Sequence, residues 1–269
     1  MSLIEAIRAD AAKLLQEGQV KMVLGYRARY DRRLPLLITK GDQVSALVYD
    51  EACWQNLPTY IRKSEVRSAM PVAIVCRPEG IRSLLVLASE AQITDDAVRV
   101  LAVVGGEYRG AMDLPAAAQL IKDLPPAPVA PEIARKLDEL AALSANDRAA
   151  FWRDALAPCT RCYACRASCP VCYCQNCVVE RNTPQIVSTT AAPHGNFAWN
   201  IVRAFHQAGR CTLCGACQTA CPQNLPLMLL NAWIERQVRE EFAFVSGSSL
   251  DAKPFIGSWS PNDDDKFIR

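Results

Sequence analysis

Two stretches of this chain repeat one pattern of cysteines, CxxCxxCxxxCP. The first places Cys159, Cys162, Cys165 and Cys169 before Pro170, and the second places Cys211, Cys214, Cys217 and Cys221 before Pro222. Three thiolates spaced three residues apart on a tightly wound segment reach three irons of one cubane. The fourth, a turn further on, points elsewhere, and in two-cluster ferredoxins it ligates the other cluster. The pattern therefore predicts one 4Fe-4S cluster on Cys159, Cys162, Cys165 and Cys221 and a second on Cys211, Cys214, Cys217 and Cys169. Structural zinc also uses CxxC pairs, but as two pairs holding four ligands in all, not two sets of four that end in Cys-Pro. Disulfides are disfavoured because nothing near the N-terminus has the uninterrupted apolar centre of a secretory leader.

The chain has thirteen cysteines, so five remain. Cys172, Cys174 and Cys177 follow the first run as CxCxxC, a compact chelating arrangement. They could hold a third 4Fe-4S cluster with a fourth ligand from Cys53, Cys76 or another chain. They could equally hold a zinc, or stay free thiols, which near redox centres would be prone to oxidation. Cys53 and Cys76 lie in apolar surroundings and read first as core residues. Arg161, Arg166, Arg181, Arg203 and Arg210 lie close in sequence to the cysteines and as a group suit an anionic cluster. His194, in an apparent loop, and His206, on an apparent amphipathic helix, read as structural or solvated. No GxGxxG opens a helix after a strand, no P-loop is present, and no nucleophile–base pair can be placed.

The elements that must hold these cysteines read as follows. Residues 2–17 form an amphipathic helix stopped by Gly18, with Leu3, Ile4, Ile7, Ala11, Leu14 and Leu15 on one face. KMVLGYRARY and LPLLITK, separated by Asp31-Arg32-Arg33, predict a hairpin. GDQVSALVYD predicts a short helix, PVAIVCR a buried strand, GIRSLLVLASEA a helix, and VRVLAVVGG a second buried strand closing the series. Gly105 and Gly106 read as a turn. Residues 113–131, ending in LPPAPVAP, are expected to hold no regular helix. One or two helices broken near Ser144–Asp147 then lead to Cys159. After the second cysteine run, NLPLMLLNAWIERQVREEF predicts a helix whose Met228 and Trp233 could shield a cluster.

The expected fold class is α+β, an N-terminal α/β domain joined to a mostly helical two-cluster ferredoxin-like domain. The expected division is 1–123 for the α/β domain, 124–131 for a Pro-rich linker, 132–246 for the iron–sulfur domain, and 247–269 for an extended tail. Phe255, Ile256, Trp259 and Phe267 in that tail are spaced like anchors that wrap another subunit. With 30 basic and 28 acidic residues, the charge balance points to neither nucleic acid nor an anionic membrane surface. No apolar run approaches membrane-spanning length. The expected location is the cytoplasm.

CTRCYACRASCPVCYCQNC, GNFAWNIVRAFHQAGRC, and CTLCGACQTACP followed by NLPLMLLN together resemble the iron–sulfur subunits related to the beta subunits of deazaflavin-reducing hydrogenases and formate dehydrogenases. The likeness is most specific over residues 145–240. In the first half, Arg77-Pro78-Glu79 stands where many relatives have Arg-Pro-Cys followed by an acidic residue. The resemblance implies an electron-transfer subunit whose partners are a flavoprotein, a hydrogenase, a formate dehydrogenase or a heterodisulfide-reductase-like component. It leaves two readings open. In one, the chain passes single electrons to a catalytic subunit and turns over no substrate itself. In the other, it binds a flavin that exchanges hydride with a soluble carrier, with the clusters as the electron outlet.

Overall fold

The computed structural model describes residues 2–253 and Phe255. Helix α1 (Leu3–Gln16) starts on a capping box, with Ser2 and Glu5 each accepting from the other's backbone N–H, and buries Ile7, Ala11 and Leu14. The hairpin β1 (Met22–Arg29) and β2 (Arg32–Ile38) follows, then a 3-10 turn at Gly41–Ala46. A second 3-10 turn at Leu57–Tyr60 and the short helix α2 (Ser64–Ser68) lead to β3 (Val72–Cys76), which is buried throughout. Helix α3 (Pro78–Ser89) returns to β4 (Val98–Val104).

The chain does not leave the sheet at β4. Gly105 and Gly106 take φ of 62° and 78° and turn it into β5 (Glu107–Asp113), antiparallel to β4. This fifth strand is missing from the sequence expectation because EYRGAMD lies at the sheet edge and exposes alternate residues. The sheet order is β2-β1-β3-β4-β5, with β1, β3 and β4 parallel and an antiparallel strand at each edge.

Residues 113–131 also need correction, because they contain helix α4 (Leu114–Ile121). Pro115 is tolerated since it sits in the first turn, where its missing N–H would have no helical partner anyway. Asp113 caps that turn by accepting from the Ala116 N–H at 2.8 Å. Only residues 122–130 are irregular.

Helices α5 (Pro131–Ala142) and α6 (Ala145–Leu156) are separated at Ser144, which caps α6. The second half continues through α7 (Ala164–Ala167), α8 (Pro193–Phe205), α9 (Ala216–Ala220) and α10 (Leu227–Phe242). His194 lies in the first turn of α8, not in a loop, because Pro193 starts the helix one residue earlier. The observed class is α+β, a mixed sheet beside a helical cysteine-rich half.

Two apolar cores result. One joins the sheet to α1, α3 and α4. The other packs α5, α6, α8 and α10 around the cysteine loops. Helix α3 stands between the halves, and eight consecutive residues, Gly80–Leu87, are buried on it. A helix buried all round must have structure on both sides. One side carries the sheet, and on the other Ser83 Oγ meets Thr212 Oγ1 at 3.1 Å. Arg82 on the same helix donates to the Leu124 carbonyl at 2.6 Å. Phe255 packs on its own chain, with its ring centroid 4.9 Å from that of Phe242. The other tail anchors, Ile256, Trp259 and Phe267, lie outside the described residues.

Candidate metal centre

The two cysteine runs fold alike. Arg161 and Tyr163 take left-handed φ of 55° and 59°, and Leu213 and Gly215, at the same places in the second run, take 56° and 75°. A left-handed residue on each side of the second cysteine curls the backbone so that the cysteines turn toward a common centre. Such geometry costs on the order of 1 kcal/mol or more for a non-glycine residue and persists where the surroundings over-determine it. A short helix then follows in each copy, α7 in the first and α9 in the second, and carries the third cysteine inward. Cys165 and Cys217 are both buried.

Each curl closes on a chamber. Cys159, Cys162 and Cys165 line one together with Cys221, which comes from the other run. Cys211, Cys214 and Cys217 line the second together with Cys169. Among the described residues, no three His, Cys, Asp or Glu side chains gather closely enough to hold a single ion. A tetrahedral zinc would draw its sulfurs to about 3.8 Å from one another, from Zn–S bonds of ~2.3 Å. Four cysteines to a chamber suit the four irons of a cubane.

The surrounding donors fit that object. Arg161 Nη1 and Trp199 Nε1 are buried without a partner, and both residues line the first chamber. The Leu225 N–H faces Cys221 Sγ at 3.5 Å. At the second chamber Gln207 Nε2 donates to Cys169 Sγ at 3.2 Å and Asn231 Nδ2 to Cys217 Sγ at 3.5 Å. Donors aimed at sulfur stabilise the reduced, more negative state of an iron–sulfur centre. Met228 also lines this chamber, as expected of a shield, whereas Trp233 stacks under Arg148 and Arg236.

Arg203 belongs to both sets. It is 5% exposed, its Nη2 donates to the Cys165 carbonyl at 3.1 Å, and its Nε has no partner. Burial pulls its pKa down, but Cys169, Cys165, Cys217 and Cys172 surround it and, once deprotonated, outweigh burial and raise it. No carboxylate pairs with it among the described residues. A buried cation without a counter-ion costs several kcal/mol, so the site calls for an anion between the runs. Arg161 is positioned differently, donating to Asn196 Oδ1 at 3.1 Å and to the Ser188 and Gly195 carbonyls at 2.7 and 2.6 Å. A Cβ at Gly195 would lie 2.9 Å from the Thr190 carbonyl oxygen and 3.1 Å from Arg161 Nη2, so glycine permits the approach.

Burial pushes the Cys165 thiol up to about 11, and raises Cys169 and Cys211 further. Thiols in this state are protonated at neutral pH, so a metal must displace their protons to bind. Glu235, beside Cys211, is pushed up to about 7 by burial, against hydrogen bonds from Ser246, Gly209 and Cys211.

Segment 158–226 matches the family model described as 4Fe-4S dicluster domain. The match supports two 4Fe-4S clusters in this segment. The chain is similar to F420-dependent formate dehydrogenase subunit beta of Methanocaldococcus jannaschii. The two are 28% identical over 105 residues, 39% of this chain and 27% of that protein. It is also 28% identical to F420-dependent formate dehydrogenase 1 subunit beta of Methanococcus maripaludis, over 110 residues, 41% of this chain and 28% of the relative. The chain thus spans little more than a quarter of the length of these relatives. These similarities agree with the resemblance read from the motifs.

The remaining candidates are placed as follows. Cys172 is half-buried near Arg203, Cys174 is exposed, and Cys177 packs against the helical core. Cys53 and Cys76 are buried in the sheet core, where burial pushes Cys53 up to about 11 and Cys76 higher. Cys76 shares a small cavity with Cys214. Arg166 is paired with Glu180 at 2.9 Å, and Arg181 and His206 are exposed. Arg210 donates to Glu90 Oε2 at 2.7 Å, as does the Tyr173 hydroxyl at 2.7 Å, which ties the cysteine half to the end of α3. Gln207 and Asn231, aimed at sulfurs, and Asn196, which holds Arg161 and the Cys159 carbonyl, were not legible as site residues, since a buried amide has no spacing signature. Among the described residues, no helix is long and apolar enough to cross a membrane.

Proposed function

We propose that this chain is an electron-transfer subunit of a multi-subunit oxidoreductase, passing single electrons between a redox partner and a catalytic subunit. The observation that carries this reading is the pair of chambers, each lined by three cysteines of one run and the fourth of the other. Cys159, Cys162, Cys165 and Cys221 hold one 4Fe-4S cluster in this reading, and Cys211, Cys214, Cys217 and Cys169 hold the second. Each cluster supplies a one-electron couple. The protein's contribution is to fix the sulfurs, keep water away with Trp199, Met228 and Leu227, and offset negative charge with Arg161 and Arg203. Because Arg203 faces cysteines of both runs, it balances both centres and keeps their potentials close enough for transfer between them.

Residues 1–123 act as the supporting domain, pressed through α3 against the second run, and residues 132–246 as the electron-carrying domain. The named relatives are subunits of formate dehydrogenases, which favours a complex of that type, with its catalytic subunit as one partner. The reducing cytoplasm is the compartment that suits thiolate-ligated clusters. Anaerobic reconstitution tests the reading. Iron and acid-labile sulfide near eight each, no flavin released by acid, and two magnetically coupled signals on reduction are the expected results. Stoichiometric flavin would replace the reading with that of a flavin-bearing reductase subunit.

A further inference from the structure

A cavity bordered by first-run cysteines lies between the halves, beside the two chambers. It measures about 370 Å³ and runs from the α2 region to the first cysteine loop. Its lining contains four cations, Arg62, Lys63, Arg67 and Arg166, and no carboxylate, and it also includes Ala167, Cys169, Pro170 and Cys172. Cys169 is the first-run cysteine that lines the second chamber. One residue therefore borders both the cavity and the second cluster in the proposed ligand set.

The cations divide into two kinds. Arg166 is engaged by Glu180, with bonds of 3.0 and 2.9 Å. Arg62 donates to Gln92 Oε1 and lies 4.5 Å from the Tyr173 ring centroid. The inner donors are thus already occupied. Lys63 and Arg67 are exposed at the mouth and form no ion pair among the described residues. A small phosphate-bearing ligand needs several unengaged donors converging inside its pocket. Here the unengaged charge is on two exposed side chains, and no carboxylate in the lining offsets it. Single-sign charge at a mouth speeds encounter with an oppositely charged partner. The first chamber differs: its cysteine Cys162 is exposed, and the neighbouring Thr160, Pro222 and Gln223 are uncharged.

We infer that this cavity is the docking port for an acidic one-electron carrier protein, which exchanges electrons with the second cluster by way of Cys169. The inference rests on the electron-transfer reading and names the partner class of that same site. In each encounter the reduced carrier loses one electron and the cluster gains it, with no proton transferred and no bond made or broken.

The test uses the full chain with its clusters reconstituted anaerobically. Stopped-flow absorbance follows its reduction by a small acidic ferredoxin and, separately, by reduced methyl viologen, a cationic dye that needs no acidic docking face. The ferredoxin rate is expected to fall about tenfold or more between ~20 and ~300 mM salt, as electrostatically steered association does. Lys63→Glu with Arg67→Glu should lower it about tenfold at low salt, and Lys63→Gln with Arg67→Gln about threefold. The dye rate should not fall in either. A ferredoxin rate indifferent to both double variants overturns the port. So does a loss shared equally by the dye, or a block by ~1 mM pyrophosphate that chloride at equal ionic strength does not reproduce, which would mark a small phosphate ligand. A chain that neither ferredoxin nor dye can reduce brings down the electron-transfer reading itself, and the port with it.

Discussion

The two cysteine chambers are built on the same curl of backbone and set in different surroundings. The first run keeps a left-handed tyrosine, Tyr163, propped edge-on by Trp199 at 5.4 Å, and has Cys162 in solvent. The second run uses Gly215 at the equivalent place and leans on the N-terminal half, with Thr212 on Ser83 and Cys214 beside the Cys76 cavity. The motif decides the cup in both cases. What distinguishes the centres is the wall around each cup, because potential and access depend on charge, hydrogen bonds to sulfur and exposure.

The largest expected effect tests whether the runs exchange their last ligands. Cys221→Ala should remove the cluster held by Cys159, Cys162 and Cys165, although Cys221 belongs to the other run in sequence. Cys169→Ala should remove the cluster held by Cys211, Cys214 and Cys217. In each case iron falls from about eight to about four atoms, and the resonance spectrum of the survivor identifies the chamber emptied. Loss of the cluster in the variant's own run would break the crossed assignment.

Charge around the centres gives the next effect. Removing Arg203 as Arg203→Gln should lower both potentials by on the order of 100 mV, the scale of a unit charge several ångströms away at an effective dielectric near 20. Arg161→Gln should lower only the first, because Arg161 lines that chamber alone. Redox titration followed by electron paramagnetic resonance reads both. Equal shifts in the two variants would mean that the arginines act through the fold and not through proximity.

Legibility in the sequence follows from how local each feature is. The eight cysteines were legible because a cubane imposes a spacing on the chain. Helix α1, the β1–β2 hairpin and the buried strands β3 and β4 were legible because each writes its own periodicity. The strand β5 was not, since an exposed edge strand has too little apolar alternation to stand out from a loop. Helix α4 was hidden by nearby prolines whose effect depends on position within the turn. Arg203 stood out only as one of five nearby arginines, since its place between the runs comes from packing α8 against both loops.

The clamp between the halves supplies a smaller effect. Glu90 binds Arg210 and Tyr173, with the Arg210 and Glu90 side chains 15% and 10% exposed. Glu90→Gln should destabilise the chain by about 2–4 kcal/mol, the range for breaking a largely buried ion pair. Chemical unfolding measures that loss. Air bleaching should also quicken more at the second cluster than at the first, because Arg210 directly precedes Cys211 and Thr212 rests on Ser83. Bleaching that accelerates equally at both would remove this distinction.

The smallest effect isolates one hydrogen bond. Gln207 Nε2 donates to Cys169 Sγ at 3.2 Å, while its Oε1 has no partner. Gln207→Leu conserves most of the volume, deletes the donor and removes an unsatisfied oxygen, so stability should change little or improve. The second cluster should nevertheless lose a donor that favours its reduced state, and its potential should fall by a few tens of millivolts, at about 59 mV per tenfold change in a one-electron equilibrium. The first cluster, whose sulfurs Gln207 does not reach in the crossed assignment, serves as the internal control. A shift confined to the first cluster would place Cys169 on the wrong chamber and reverse the comparison.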